Sequence, residues 1–219
     1  MKRFLDIVLS LIALILISPL FIPIVIVLLL TGEHYVFYTH DRVGYKGKIF
    51  RLIKFSTMLK DSPNLGTKDI TVKKDPRVFP FGRFLRKTKI NELPQILNVL
   101  YGDMSIVGPR PLTPRNFNYY SEEAKRNISK LKPGITGIGS IVFRDEEELL
   151  STYKTSVEDY YKANISPYKG ELETWYLHNQ NIILDFKLMA LTGLIIIRPS
   201  INITVFFKNL PQRPNLIDA

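Results

Sequence analysis

A chain of 219 residues with 30 Lys and Arg against 20 Asp and Glu carries a formal charge of +10, yet its mean hydropathy is +0.04. That pairing of basic and apolar character suits phosphates or anionic lipid head groups, and no helix-turn-helix, zinc-finger or RNA-binding signature accompanies it, so nucleic acid is not an expected partner. The absence of cysteine excludes disulfides and thiolate metal sites, and His34, His40 and His178 are too scattered for a metal-ligand set.

In chain order, the first element is one long apolar run. Ile7 to Leu30 is about 24 residues, roughly 36 Å as a helix and long enough to cross a bilayer. Pro19 and Pro23 interrupt its middle, and a proline there removes a backbone hydrogen bond. Ser18, just before them, can take up a freed carbonyl. Lys2 and Arg3 precede the run, and Arg42, Lys46, Lys48, Arg51 and Lys54 follow it, so both flanks ask for the cytoplasmic side. A re-entrant helix-break-helix over residues 1–33, broken at Ser18-Pro19, satisfies both flanks where a spanning helix satisfies one. A signal peptide is disfavoured by length and by the lack of a small-residue cleavage site. Asp6 is expected to pair with Arg3 or Lys2.

Residues 34–219 read as a domain at the cytoplasmic face. From Tyr35 to Met58, short β-like pieces flank a turn carrying Gly44 and Gly47, which predicts a β-hairpin. Its cations either hold lipid phosphates or protect an edge strand. Residues 60–74 are polar and turn-rich and read as a mobile loop or lid. Asp75-Pro76-Arg77 then leads through Phe79, Phe81 and Phe84, which read as packing, with Arg77 as the candidate phosphate contact.

The stretch from Arg86 to Leu112 is central. Leu93, Ile96, Leu97 and Leu100 fall at i, i+3, i+4 and i+7, predicting a short amphipathic helix stopped by Gly102. Asn91 and Glu92 would stand at its start, ringed by Arg83, Arg86, Lys87, Lys89 and, beyond the helix, Arg110. A carboxylate at a helix start among cations suits the handling of a phosphate; the alternative is an ordinary cap with a solvated basic face. Asp103 is either a metal-associated carboxylate or a turn residue.

Further on, residues 115–131 read as a helix, and Pro133-Gly134 and Gly137-Ile138-Gly139 as glycine turns offering backbone N–H groups to a diphosphate or uracil. Arg144 is a candidate phosphate contact, with Asp145 to Glu148 either neutralising it or starting a helix. Residues 149–191 are mostly helical. Leu188 to Ile197 is too short to span a membrane and reads as an interfacial amphipathic helix, with a buried core helix as the alternative. The expected fold class is mixed α/β: a mostly helical domain with a small β-hairpin, a re-entrant membrane segment and interfacial helices.

The run from Asn91 to Pro111 resembles the signature of the bacterial sugar transferases, the monotopic polyprenyl-phosphate phosphoglycosyl transferases that initiate surface glycan assembly. The similarity extends through Ser18-Pro19, Arg42-Val43-Gly44, Lys54-Phe55, Asp75-Pro76-Arg77, Gly82-Arg83, Gly102-Asp103-Met104-Ser105, Gly108-Pro109-Arg110-Pro111 and Pro133-Gly134-Ile135-Thr136-Gly137. The resemblance implies transfer of a sugar-1-phosphate from a UDP-sugar to undecaprenyl phosphate with release of UMP, at the cytoplasmic face of a bacterial inner membrane. Phospholipids are implied as neighbours, and a homodimer is allowed. It implies Mg²⁺ held by Glu92 and Asp103, with Lys54, Arg77, Arg83, Arg86, Arg110 and Arg144 as phosphate contacts. The family's Asp-Glu pair, whose Asp is the covalent nucleophile, is Asn91-Glu92 here. Three readings follow: direct attack by the lipid phosphate or use of another carboxylate such as Glu92, an engineered Asp→Asn change, or a non-catalytic membrane-bound scaffold or glycan-binding homologue. Three further departures from the family are Ser56 for an arginine, Ile138-Gly139-Ser140 for an aromatic and glutamine, and Glu173 for an aspartate.

Overall fold

The computed structural model describes residues 1–62, 75–151, 156–198, 201 and 203–212. Most of the loop expected over residues 60–74 lies outside them. The fold is mixed α/β and mostly helical, with two small two-stranded sheets.

The break expected at Ser18-Pro19 does not interrupt the first helix: α1, Lys2–Leu30, runs through Pro19 and Pro23 as one helical element, with the Ser18 Oγ donating to the Ile15 carbonyl, which Pro19 leaves without an N–H partner, at 2.9 Å. Its N-terminal turns are docked by polar groups. Lys2 Nζ donates to Asp185 (2.7 Å), to the Tyr176 hydroxyl (2.8 Å) and to the Val107 carbonyl (2.9 Å). Arg3 donates to the carbonyls of Val99 and Leu100. Asp6, expected beside Lys2 or Arg3, instead accepts from Ser105 Oγ and the Ile106 N–H, both at 3.0 Å. Those donors lie on a strand edge that would otherwise lack partners, so they outcompete the flexible cations. At the other end, Ile24 and Leu28 are buried with Phe55 and Leu85. Both ends of α1 therefore rest on the same body. Its other side is apolar and bare: Phe4, Leu11, Ile12, Ile15, Leu16, Ile22 and Ile26 are exposed.

Strand β1, Phe37–Val43, pairs antiparallel with β2, Ile49–Phe55, as the alternating sequence predicts. The turn between them uses positive φ at Lys46 and Gly47. Helix α2 is Pro80–Lys87. The predicted helix after it begins later than its apolar spacing suggests: Ile90–Glu92 form a 3₁₀ turn, and α3 covers only Gln95–Tyr101, closed by Gly102 at φ 97°. Its buried face is Gln95, Ile96, Asn98 and Val99, because Asn98 bridges to β2 rather than facing solvent.

Strand β3, Ser105–Val107, lies parallel to β4, Gly134–Thr136. Gly134, expected to offer an open N–H, does not do so, and neither does Gly108. Gly108 N–H donates to Thr136 and Gly134 N–H to Pro109, at 2.9 and 2.8 Å. A Cβ on Gly108 would come within 2.2 Å of the Lys132 carbonyl oxygen, and one on Gly134 within 2.1 Å of the Gly108 nitrogen. They are glycines because two backbones meet.

The predicted 115–131 helix is split into α4, Pro114–Phe117, and α5, Glu122–Ile128, the latter capped by Ser121. Helices α6 (Ile138–Val142), α7 (Glu146–Ser151), α8 (Val157–Tyr160), α9 (Ser166–Asn179) and α10 (Ile182–Ile197) complete the chain, with a π turn over Tyr161–Ile165 between α8 and α9. The largest core is built from α6, α9 and α10 around Ile138, Leu172, Tyr176 and Leu188. Helix α10 has one apolar side in the core and one outside it: Leu184, Leu188, Leu191 and Ile195 are buried, while Ile183, Phe186, Ile196 and Ile197 are exposed.

Candidate active site

The site grows from the bond between β2 and α3. The Ile53 N–H donates to Asn98 Oδ1 at 2.9 Å and Asn98 Nδ2 donates to the Arg51 carbonyl at 2.8 Å. Two bonds from one buried amide fix the register of the strand against the helix. The next residue on β2, Lys54, is thereby held at Glu92, to whose Oε1 it donates at 3.1 Å. Arg110, on the loop after β3, donates to the same oxygen at 3.1 Å. Lys89, in the left-handed conformation at φ 60°, opens the 3₁₀ turn that presents Asn91 and Glu92.

Burial alone would raise the Glu92 carboxyl, but Lys54, Arg110 and Lys89 together outweigh it and hold the acid well below the ordinary carboxylate range. Lys54 is affected the other way. Burial pushes its ammonium down to about 8, only partly countered by Glu92. Below pH 8 the cation is present, and above it the charge at the site is lost. A rate that depends on that charge is expected to fall on the alkaline side of pH 8, and Lys54→Arg, whose guanidinium stays charged, should move the fall upward. A kcat/KM profile that is flat through pH 9 would exclude this role.

Two cavities meet at this carboxylate. One, of about 200 Å³, is polar and lined by Tyr38, His40, Arg42, Arg86 and Asn91 among others. The second, of about 520 Å³, is mostly apolar and lies between α1 (Leu9, Ala13, Ile17) and α10 (Ile195, Ile196). Their common wall is Lys89, Glu92, Arg110, Leu112, Glu146 and Lys169. Ser10 Oγ, Ser140 Oγ and Glu173 Oε2 are buried without hydrogen-bond partners, and all three residues line the apolar cavity.

Lys54, Arg86, Asn91, Glu92 and Arg110 are brought together, and Arg144 is an exposed residue lining the second cavity. The other candidates lie elsewhere. The Arg77 guanidinium is buried against Asp75 (2.6 Å) and the Ser62 carbonyl (2.8 Å). Arg83 is exposed on α2 and Asp103 is exposed after α3, and neither lines either cavity. Among the described residues no three His, Cys, Asp or Glu gather as a metal cage. Mg²⁺ does not need one, because it takes one or two protein oxygens beside substrate phosphates and water. The Glu92 carboxylate and the Asn91 Oδ1, which is buried without a hydrogen-bond partner, belong to consecutive residues that both line the polar cleft and supply oxygens of that kind.

Sequence reasoning missed Lys169, whose Nζ pairs with Glu146 at 2.7 Å and whose side chain is 8% exposed. Its place four residues before Glu173 on one helical face was the available signal. Glu173 accepts backbone N–H groups from Arg110 and Gly139, yet burial pushes its carboxyl up to about 7. The folded state thus holds this proton more tightly than the unfolded chain. The associated stability is complete below about pH 4.5 and disappears as pH rises to about 7, roughly 3 kcal/mol in all. In paired melts from pH 4.5 to 8, Glu173→Gln should lack this decline in Tm; parallel curves would refute the assignment.

A profile of the bacterial sugar transferase family matches residues 1–199. The chain is 33% identical over 212 residues to an undecaprenyl-phosphate galactose phosphotransferase of Salmonella typhimurium, covering 90% of this chain and 40% of that protein. It is 31% identical over 205 residues to the exopolysaccharide production protein ExoY of Sinorhizobium fredii, covering 87% and 83%. It is 36% identical over 195 residues to a UDP-glucose:undecaprenyl-phosphate glucose-1-phosphate transferase of Escherichia coli, covering 88% and 39%. The chain thus spans about two fifths of two of these relatives and most of the third. With the match running from α1 through α10 and across the whole Glu92 site, this chain belongs to the bacterial sugar transferase family.

Proposed function

We propose that this chain moves a sugar-1-phosphate from a UDP-sugar to undecaprenyl phosphate, releasing UMP, in the first membrane step of exopolysaccharide, capsule or O-antigen assembly. The observation that carries the reading is the meeting of a cationic cleft and an apolar cavity on one wall at Glu92 and Arg110. The two substrates differ in just this way: one is a soluble diphosphate and the other a hydrocarbon with a phosphate at its end.

Lys54, Arg42, Arg86 and Lys89 suit the diphosphate on the polar side. Arg110, Lys89 and Arg144 suit the lipid phosphate at the mouth of the apolar side, with the first isoprene units against Leu9, Ala13, Ile17 and Ile195. Glu92 holds Lys54 and Arg110 at fixed positions before substrate arrives, so little reorganisation is required when charge shifts to the leaving phosphate. Mg²⁺, taken by Glu92 and Asn91 Oδ1 with the diphosphate, would supply charge neutralisation.

The membrane reading draws on α1. It is the one helix among the described residues long and apolar enough to cross a bilayer. Its packing of both ends on one body, with a bare apolar side between, suits a helix held at the cytoplasmic side of a bacterial inner membrane with that side in the bilayer. The exposed apolar side of α10 supports an interfacial position beside it.

One observation favours a competing reading. Asn91 stands where the resemblance places a nucleophilic Asp, and that suits a non-catalytic scaffold. Purified protein with Mg²⁺, undecaprenyl phosphate and a panel of UDP-sugars separates the two. UMP release dependent on the lipid phosphate is the expected result; no release from any donor, with the protein demonstrably folded, would leave the scaffold.

A further inference from the structure

A transfer in two covalent stages needs a side-chain nucleophile that both substrates can reach, which means one on or beside the wall the two cavities share. Of the six residues there, two carry carboxylates. Glu92 is bonded to two cations, which draw off the electron density a nucleophile needs, and Glu146 is paired with buried Lys169 at 2.7 Å. The cations themselves are ammonium and guanidinium groups with no lone pair to offer while charged. Asn91 lines the polar cleft beside Glu92, but its amide oxygen is a far weaker nucleophile than a carboxylate. His40 lines only the polar cleft. What the shared wall offers is positive charge facing both ways.

We infer that this chain transfers the sugar phosphate directly, with donor and lipid acceptor bound at once in the two cavities and no covalent enzyme intermediate. The inference rests on the function proposed above. In the step, a lipid phosphate oxygen forms a bond to the β-phosphorus of the UDP-sugar. The bond from that phosphorus to the oxygen bridging it to the α-phosphorus breaks, and its electron pair leaves on UMP. A phosphate monoester is largely dianionic at neutral pH, so the attacking oxygen needs no base and no proton has to be moved. Arg110 and Lys89, reaching both cavities, screen the repulsion between two anionic phosphates as they approach. Asn91 serves as a neutral oxygen beside the diphosphate, where a carboxylate would add repulsion.

Three readings on the full chain in nanodiscs test this, using whichever UDP-sugar supports UMP release. Initial rates against both substrates should give intersecting double-reciprocal lines. Labelled UMP should not exchange into the UDP-sugar when undecaprenyl phosphate is left out, and a chirally labelled β-phosphorothioate donor should react with inversion. Parallel lines, exchange without the lipid, or retention at phosphorus would each overturn the inference while leaving the transferase reading intact. Absence of UMP release from every donor would remove the transferase reading and this inference with it. Asn91→Asp serves as a contrast: exchange gained by that variant and absent from the native chain would show both that the assay detects a covalent route and that the native chain does not use it.

Discussion

Glu92→Gln is expected to cut UMP release by about a hundred- to a thousand-fold, the range found when one preorganised electrostatic contact is removed. Two consequences of the geometry add together. The amide can still accept a hydrogen bond from Lys54 or Arg110, but it no longer fixes both cations by charge at 3.1 Å. Lys54 also loses the neighbour that props up its ammonium against burial, so its pKa drops below about 8 and the lysine is partly neutral at working pH. The loss should therefore be larger at pH 8 than at pH 6.5. The measurement is kcat for wild type and variant across that range, with substrate saturating. A loss that is equal at every pH would show that Glu92 does not hold the Lys54 charge, and a variant within a few-fold of wild type would remove Glu92 from the chemistry.

Gly108→Ala is expected to be the most damaging small substitution outside the site. Its new methyl would stand 2.2 Å from the Lys132 carbonyl oxygen and 3.0 Å from the Gly134 nitrogen, and neither backbone atom can turn aside as a side chain does. Relief requires the Gly108 segment to part from β4, at the expense of the 2.9 Å bond to Thr136 and the 2.8 Å bond from Gly134 to Pro109. Overpacking of this kind costs about 3 kcal/mol and can cost more. Because Arg110 follows two residues later, activity should fall with stability. Thermal melts of detergent-purified protein check it: a Tm within a degree or two of wild type would mean that the strands can separate cheaply. As a control, Gly47→Ala meets no atom within 4 Å and is strained only by its φ of 72°, so it should cost much less, about 1 kcal/mol.

The hairpin was legible because its alternation and its two glycines are local signals, and α1 was legible because its apolar run is long. The Glu92 turn was legible in part. The apolar spacing found α3 and Gly102 ended it, but the buried face was misplaced, since hydrophobic spacing cannot register that Asn98 turns inward to bond β2. The glycines after Lys132 were read as exposed N–H donors because nothing local distinguishes a glycine that opens a turn from one that lets two distant segments touch. Arg77 and Arg110 look alike in sequence, each beside a proline and among charges. Only tertiary placement sends one into Asp75 and the other to Glu92. The Lys169–Glu146 pair joins residues 23 apart, and its contribution to the shared wall depends on packing that no short window contains.

The docking of Lys2, Arg3 and Asp6 onto the β3 strand, the Val99 and Leu100 carbonyls of α3 and Tyr176–Asp185 changes what the N-terminal segment is to this molecule. It is a wall of the larger cavity as well as an apolar surface, because Leu9, Ser10, Ala13 and Ile17 close that cavity on one side. Cutting residues 1–30 away to obtain a water-soluble enzyme would open the cavity and bare Phe55 and Leu85. The buried strand-edge groups at Ser105 and Ile106 would also lose their acceptor. Solubility in this architecture has to be engineered on the outward face of the first helix, at positions such as Ile12, Ile15 and Leu16, with the inward face left as it stands.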